Sequence, residues 1–144
     1  MLVMRAMADG LTLEERSRLM SRIRGKDTKP EMIVRRLAWS LGVRYRLHRR
    51  DLPGCPDMVF ATRGKAIFVH GCFWHRHEGC PANRIPKSHV EFWTDKLEKN
   101  RLRDMDNQTK LRQMGWEVLV VWECETKDRD ALRAKIRGFL EDGK

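Results

Sequence analysis

Three of the five histidines and two of the four cysteines of this chain fall within eleven consecutive residues, His70-Gly71-Cys72-Phe73-Trp74-His75-Arg76-His77-Glu78-Gly79-Cys80, around an adjacent aromatic pair. Buried imidazoles need a partner at each ring nitrogen, so an apolar core has no use for that mixture. Metal coordination and proton transfer both need it. A second cysteine-bearing segment, Trp122-Glu123-Cys124, ends the last strand-like run and could supply a fourth ligand.

At 144 residues, one domain with one core is expected. The net charge of +10 suggests a polyanionic partner, most often nucleic acid. Residues 1–50 carry 13 Lys and Arg against 5 Asp and Glu, whereas residues 51–144 carry 17 against 15. The first third is therefore the expected electrostatic footprint, and the remainder carries the core and the chemistry. No apolar run approaches the roughly 18–20 residues of a membrane span. The opening Met1-Leu2-Val3-Met4-Arg5-Ala6-Met7 is too short for a signal peptide, which leads to the expectation of a cytoplasmic chain with reduced thiols. Cysteines beside histidines then read as metal ligands more readily than as disulfides.

Residues 1–11 read as a disordered extension and 12–144 as a single domain. Thr12-Leu13-Glu14-Glu15 has the N-cap and N3 acid of a capping box, and a basic helix follows to about Ile23 before Gly25. Thr28-Lys29-Pro30-Glu31 repeats the signature. Met32, Val34, Leu37, Ala38 and Leu41 then give an apolar face that Gly42 stops. Val43 to Leu47 alternates like a strand, Leu52-Pro53-Gly54 is a turn, and Asp57–Ala61 with Lys65–His70 read as a hairpin. A long helix is expected from Glu91 to Met114, a central strand over Trp116–Trp122, and a closing helix over Asp128–Leu140. The order α-α-β-β-β-α-β-α describes an α/β fold, a mixed central sheet flanked by helices.

Hydrolysis of a phosphodiester with a metal needs a hard cation on oxygen ligands, a base for water and help for the leaving group. Asp57 starts a strand after a turn and pairs through the hairpin with the strand ending at His70, which suits it to hold that cation. The hairpin resembles the PD-(D/E)xK nuclease superfamily, although Phe68, Val69 and His70 stand where that pattern carries an acid, any residue and a lysine. A fuller match is more specific. Pro53-Gly54-x-Pro56-Asp57, Phe68-x-His70-Gly71-Cys72-Phe73-Trp74-His75-x-His77, Phe92-Trp93 and Val121-Trp122-Glu123-Cys124 resemble the very-short-patch mismatch repair endonucleases from about Arg16 to Glu141.

That resemblance implies a restriction-endonuclease-like enzyme that nicks one strand 5′ of the thymine in a T·G mismatch, leaving 3′-hydroxyl and 5′-phosphate ends. It makes Asp57 a Mg2+ ligand and the Val69 carbonyl a second oxygen donor, at a position where the family favours Thr. His75 resembles the base that activates water, and His70 the group that assists on the phosphate side in place of the lysine. Glu31 matches an acid near the metal, with capping as its ordinary role. Asp104 matches an acid on the long helix, with a solvated face as the alternative. Cys72, His77, Cys80 and Cys124 become the ligands of a structural Zn2+ that staples the loop 71–81. Spacing alone does not separate His77 from His75, and Gly79 is an extra residue before Cys80. Phe73, Trp74 and Trp93 become wedges into the DNA stack, with a core role as the ordinary reading. Met20 and Arg22, on a first helix with Arg16, Arg18 and Arg24, become minor-groove and phosphate contacts. Cys55 is left as an apolar filler, and Trp116 and Trp122 as core.

The partners implied are double-stranded DNA with a T·G mismatch, mismatch repair proteins and a cognate cytosine methyltransferase, acting with a monomer and no membrane. Two other readings stand beside this one. A related nicking nuclease could have changed its DNA target, or a silent protein could keep zinc and DNA binding without cleavage.

Overall fold

The computed structural model describes residues 28–81 and 84–141. The extension 1–11 and the expected first helix, with Arg16, Arg18, Met20, Arg22 and Arg24, lie outside the described residues.

Helix α1 (Lys29–Ser40) begins where the sequence signature puts it. Thr28 has extended backbone (φ −66°, ψ 160°), and its side chain accepts the N–H of Glu31 at 3.4 Å. Pro30 occupies the first turn, and Gly42 at φ +80° follows the C-cap Leu41. The buried face is rotated slightly from the expected one. Val34 and Ala38 are central, Ile33 joins them, Met32 is only half-buried, and Glu31 turns inward at 2% exposure.

Four strands follow in the order β1-β2-β3-β4: β1 (Arg46–Leu47), β2 (Met58–Phe60), β3 (Lys65–His70) and β4 (Glu117–Trp122). β1 is shorter than the expected Val43–Leu47. β2 and β3 form the expected hairpin, in register from Met58↔Ile67 to Phe60↔Lys65, joined by a 3-10 turn over Ala61–Arg63. β4 runs parallel to β3 from Lys65↔Glu117 to His70↔Trp122, a connection that needs a crossover, and helix α2 (Val90–Gln113) makes it. A second 3-10 turn (Glu123–Lys127) leads into α3 (Arg129–Glu141).

The Trp116–Trp122 run does not take the central position expected of it. β4 stands at the end of the described sheet, and β3 is an inner strand, buried at every position but Val69. The apolar run reports coverage of both faces, and both are covered. Leu119 and Val121 join Val34, Met58, Phe60, Ile67, Leu132, Ile136 and Leu140 beneath α1 and α3. Val118 and Val120 join Leu52, Val59, Phe68 and Leu111 beneath α2. Coverage and position in the sheet are separate properties, and hydrophobicity encodes only the first.

Candidate active site and metal centre

The turn Leu52-Pro53-Gly54-Cys55, closed by the Cys55 N–H on the Leu52 carbonyl at 3.0 Å, delivers Asp57 to the head of β2. Gly54 is required in it. Its φ is +77°, and a Cβ would lie 3.0–3.1 Å from Asn107 and the Phe68 ring. The Asp57 carboxylate accepts the Val69 N–H at 2.7 Å, so it reaches the strand that carries His70. Burial pushes the acid up to about 6, against the pull of the Val69 N–H and with a further push from Glu31.

Glu31 and Asp57 share this pocket with His48, a residue that the sequence reading did not single out. Glu31 Oε2 pairs with Arg35 and lies 2.7 Å from His48 Nε2. Ligand atoms of Glu31, His48 and Asp57 all lie within 4.8 Å of one another. Two carboxylates and an imidazole in one half-closed pocket make a donor set for a divalent cation.

At the end of β3 the chain turns through the His/Cys loop. The His75 N–H returns to the Gly71 carbonyl at 3.2 Å, and the His77 N–H to that of Cys72 at 2.9 Å. This fold brings the His75 ring flat against His70, and His75 Nδ1 meets an Asp104 carboxylate oxygen from α2. Helix α2 turns one face inward along Trp93, Leu97, Asn100, Asp104, Asn107 and Leu111, the i, i+3, i+4 spacing of a packed stripe. Two polar members of that stripe meet the loop: Asp104 takes His75, and buried Asn100 donates to the Trp74 carbonyl at 3.3 Å. Burial, then the neighbouring His75, push His70 down to about 3 against the opposing Asp104 charge, so its imidazole is neutral.

Cys72, His77, Cys80 and Cys124 converge, with one ligand atom from each within 4.8 Å of the others. None of the four cysteines is in a disulfide. Cys124 Sγ lies 3.5 Å from His77 Nδ1. A tetrahedral ion with sulfur and nitrogen ligands at usual lengths sets that edge at about 3.6 Å, so the residues fit such a group. Gly79, at φ +77° with open space around it, turns the chain into Cys80. Burial pushes the Cys72 thiol up to about 12 and raises Cys124 as well, so only a bound cation would hold them as thiolates at neutral pH. Trp122, expected as core, stacks on His77 with centroids 4.2 Å apart and meets His70 edge-on at 5.3 Å.

Phe73, Trp74 and Trp93 pack with Leu97 in one cluster, at 5%, 5% and 0% exposure. In the protein alone these aromatics are core.

A mixed sheet flanked by helices, with carboxylates and imidazoles gathered at its strand ends beside a cysteine-rich cluster, is the frame of a nuclease. The family model described as DNA mismatch endonuclease Vsr matches residues 8–81. The type II nicking enzyme V.XorIIP of Xanthomonas oryzae pv. oryzae is 50% identical over 135 residues, covering 94% of this chain and 98% of the relative. The type II nicking enzyme V.NmeAIP of Neisseria meningitidis is 40% identical over 136 residues, 94% and 96%. The DNA mismatch endonuclease Vsr of Escherichia coli is 39% identical over 126 residues, 88% and 80%. The chain belongs to the Vsr endonuclease family and is a DNA endonuclease, a hydrolase. No helix among the described residues is long and apolar enough to cross a membrane.

Proposed function

We propose that the protein nicks one strand of duplex DNA 5′ of the thymine in a T·G mismatch, by Mg2+-dependent hydrolysis that leaves a 5′-phosphate. The observation that carries this reading is the His75–Asp104 pair stacked on His70, on the strand end whose Val69 N–H binds Asp57.

Asp57 and the main-chain oxygen of Val69 would hold Mg2+, with Glu31 beside them. When bound, the ion supplies positive charge to the phosphate oxygens as negative charge develops there. Asp104 accepts the Nδ1 proton of His75, which leaves Nε2 as the acceptor for a proton of the attacking water. His70, neutral in the free protein, hydrogen-bonds a phosphate or leaving oxygen. Zn2+ suits the Cys72, His77, Cys80 and Cys124 set because three thiolates and an imidazole favour a closed tetrahedral site. It ties the base-bearing loop to the end of β4.

Phe73, Trp74 and Trp93 would enter the base stack beside the mismatch. Unstacking costs a few kcal/mol and least at a mispair, which favours the mismatched substrate. Met20 and Arg22 would contact DNA from the first helix.

The relatives named nicking enzymes favour a one-strand cut and keep a second reading open, in which the same chemistry serves a different DNA target. Cleavage of labelled duplexes carrying T·G in varied contexts, with matched controls, separates the two. One Mg2+-dependent nick 5′ of the mispaired thymine supports the first reading. Equal cutting of matched duplexes supports the second. Binding without any cutting by the zinc-loaded protein would remove both.

A further inference from the structure

We propose that His48 is a nitrogen ligand of the catalytic cation, completing a site with Asp57 and Glu31 that binds Mn2+ in preference to Mg2+. The inference rests on the reading of Asp57 as a cation ligand and adds a donor to it.

The placement of His48 is built into the sheet. Register Leu47↔Met58 sets the next pair, His48 and Asp57, opposite each other, and the His48 N–H donates to the Asp57 carbonyl at 3.2 Å. Both residues of β1 are exposed, yet the side chain of His48 is only 16% exposed. Its backbone stands at φ +48°, a left-handed conformation that side-chain-bearing residues adopt infrequently and that recurs at functional sites. Nε2 lies 2.7 Å from Glu31 Oε2.

A purely structural account would make His48 a partner for the buried Glu31 charge. Arg35 already pairs with that same oxygen from one turn along α1, so neutralisation does not require an imidazole. A cation does benefit from it. Oxygen ligands about 2.1 Å from one ion lie at most about 4.2 Å apart. The Glu31, His48 and Asp57 atoms, all within 4.8 Å of one another, reach ligand spacing by at most a small contraction of the widest separation and a slight opening of the 2.7 Å Glu31–His48 edge. Mg2+ takes oxygen ligands and keeps its water, whereas Mn2+, an ion of the same oxygen-rich sites but the first of the transition series, also accepts an imidazole nitrogen.

The test uses full-length, zinc-loaded protein titrated with Mn2+ and read by pulsed electron paramagnetic resonance, alongside Mn2+ and Mg2+ affinities. The expected result is a 14N coupling to Mn2+ in the wild type that is absent in His48→Gln. That variant should lose roughly tenfold or more in Mn2+ affinity and much less in Mg2+ affinity. His48→Asn serves the same comparison should His48→Gln lose zinc or melt early. No nitrogen coupling in the wild type, or one that survives both variants, overturns the proposal. Asp57→Ala separates the two levels. Mn2+ bound without nitrogen coupling but lost in Asp57→Ala sinks the His48 ligand alone. Mn2+ affinity unchanged in Asp57→Ala removes the cation role of Asp57 and this inference with it.

Discussion

The imidazoles of His70 and His75 lie face to face, their centroids 3.9 Å apart and their planes 7° from parallel, and Asp104 bonds only the second. Two charged rings at that spacing repel, and burial already drives His70 towards the neutral form. In the proposed reaction a proton taken from water would go to His75, the ring that Asp104 bonds. Asp104→Asn offers an amide N–H to Nδ1 and favours the tautomer with its proton on Nε2, where an acceptor is needed. Single-turnover nicking should fall by about 10²–10⁴-fold, with DNA affinity and melting temperature nearly unchanged. Combining it with His75→Ala should add little, because the two act as a unit. A double variant far slower than either single one would refute the pairing.

Ionised Asp57 is expected to destabilise the folded protein. Its acid stands near 6 when folded against an ordinary value near 3.8, so the folded state binds this proton more tightly. The contribution of this group to stability is complete below about pH 4 and is lost as pH rises through 6. Asp57→Asn keeps an oxygen for the Val69 N–H and removes the charge. In Mg2+-free buffer it should be more stable than wild type above pH 6, by about 3 kcal/mol at most, and equal to it near pH 4. Mg2+ should narrow the gap by stabilising the wild type only. Equal denaturation midpoints for the two proteins at pH 7.5 would contradict the burial account.

Elements with local signals were legible in the sequence. Thr28 and Gly42 bracket α1, Gly115 follows α2, and the His/Cys loop announces itself by composition. What was hidden depends on register. His48 is nine residues before Asp57, and nothing in the intervening Arg49–Pro56 segment states that the two face each other across β1 and β2. Trp122 reads as an apolar strand end, and only the parallel register with His70 turns it into a contact of the His70 and His77 imidazoles. The place of β4 at the end of the described sheet was hidden for the same reason. Lys65 is similar: a lysine at 2% exposure, donating to the Phe139 carbonyl at 2.6 Å, carries no mark of burial in its neighbours.

Zinc uptake should be coupled to proton release. The raised Cys72 and Cys124 thiols are protonated at pH 7 without a metal, and the metal takes thiolate. Zinc added to chelator-stripped protein in weak buffer should therefore acidify it, and affinity should fall as pH falls. Trp122→Leu removes the ring stacked on His77 and should speed zinc transfer to a chromogenic chelator by roughly tenfold. Cys124→Ser should weaken zinc further and expose the loop 71–81 to protease. A Cys124→Ser protein that retains zinc against the chelator as well as wild type would exclude Cys124 as a ligand.

The aromatic cluster contains one unsatisfied group. Trp93 is fully buried, and its Nε1 has no hydrogen-bond partner among the described residues. An orphaned buried N–H costs about 1–3 kcal/mol, so a cluster with that defect is easier to open than one without it. Trp93→Ala should cost about 3–5 kcal/mol, as expected for emptying a large buried site. Trp93→Phe loses volume but also the orphan, and should cost less than about 1 kcal/mol. If Phe73, Trp74 and Trp93 leave this cluster for the base stack, removing the orphaned N–H by Trp93→Phe should make that opening less favourable. It should then slow the fluorescence rise of a 2-aminopurine beside T·G while leaving that probe silent in matched duplex. A Trp93→Phe protein that melts as early as Trp93→Ala would show that the indole N–H finds its acceptor after all.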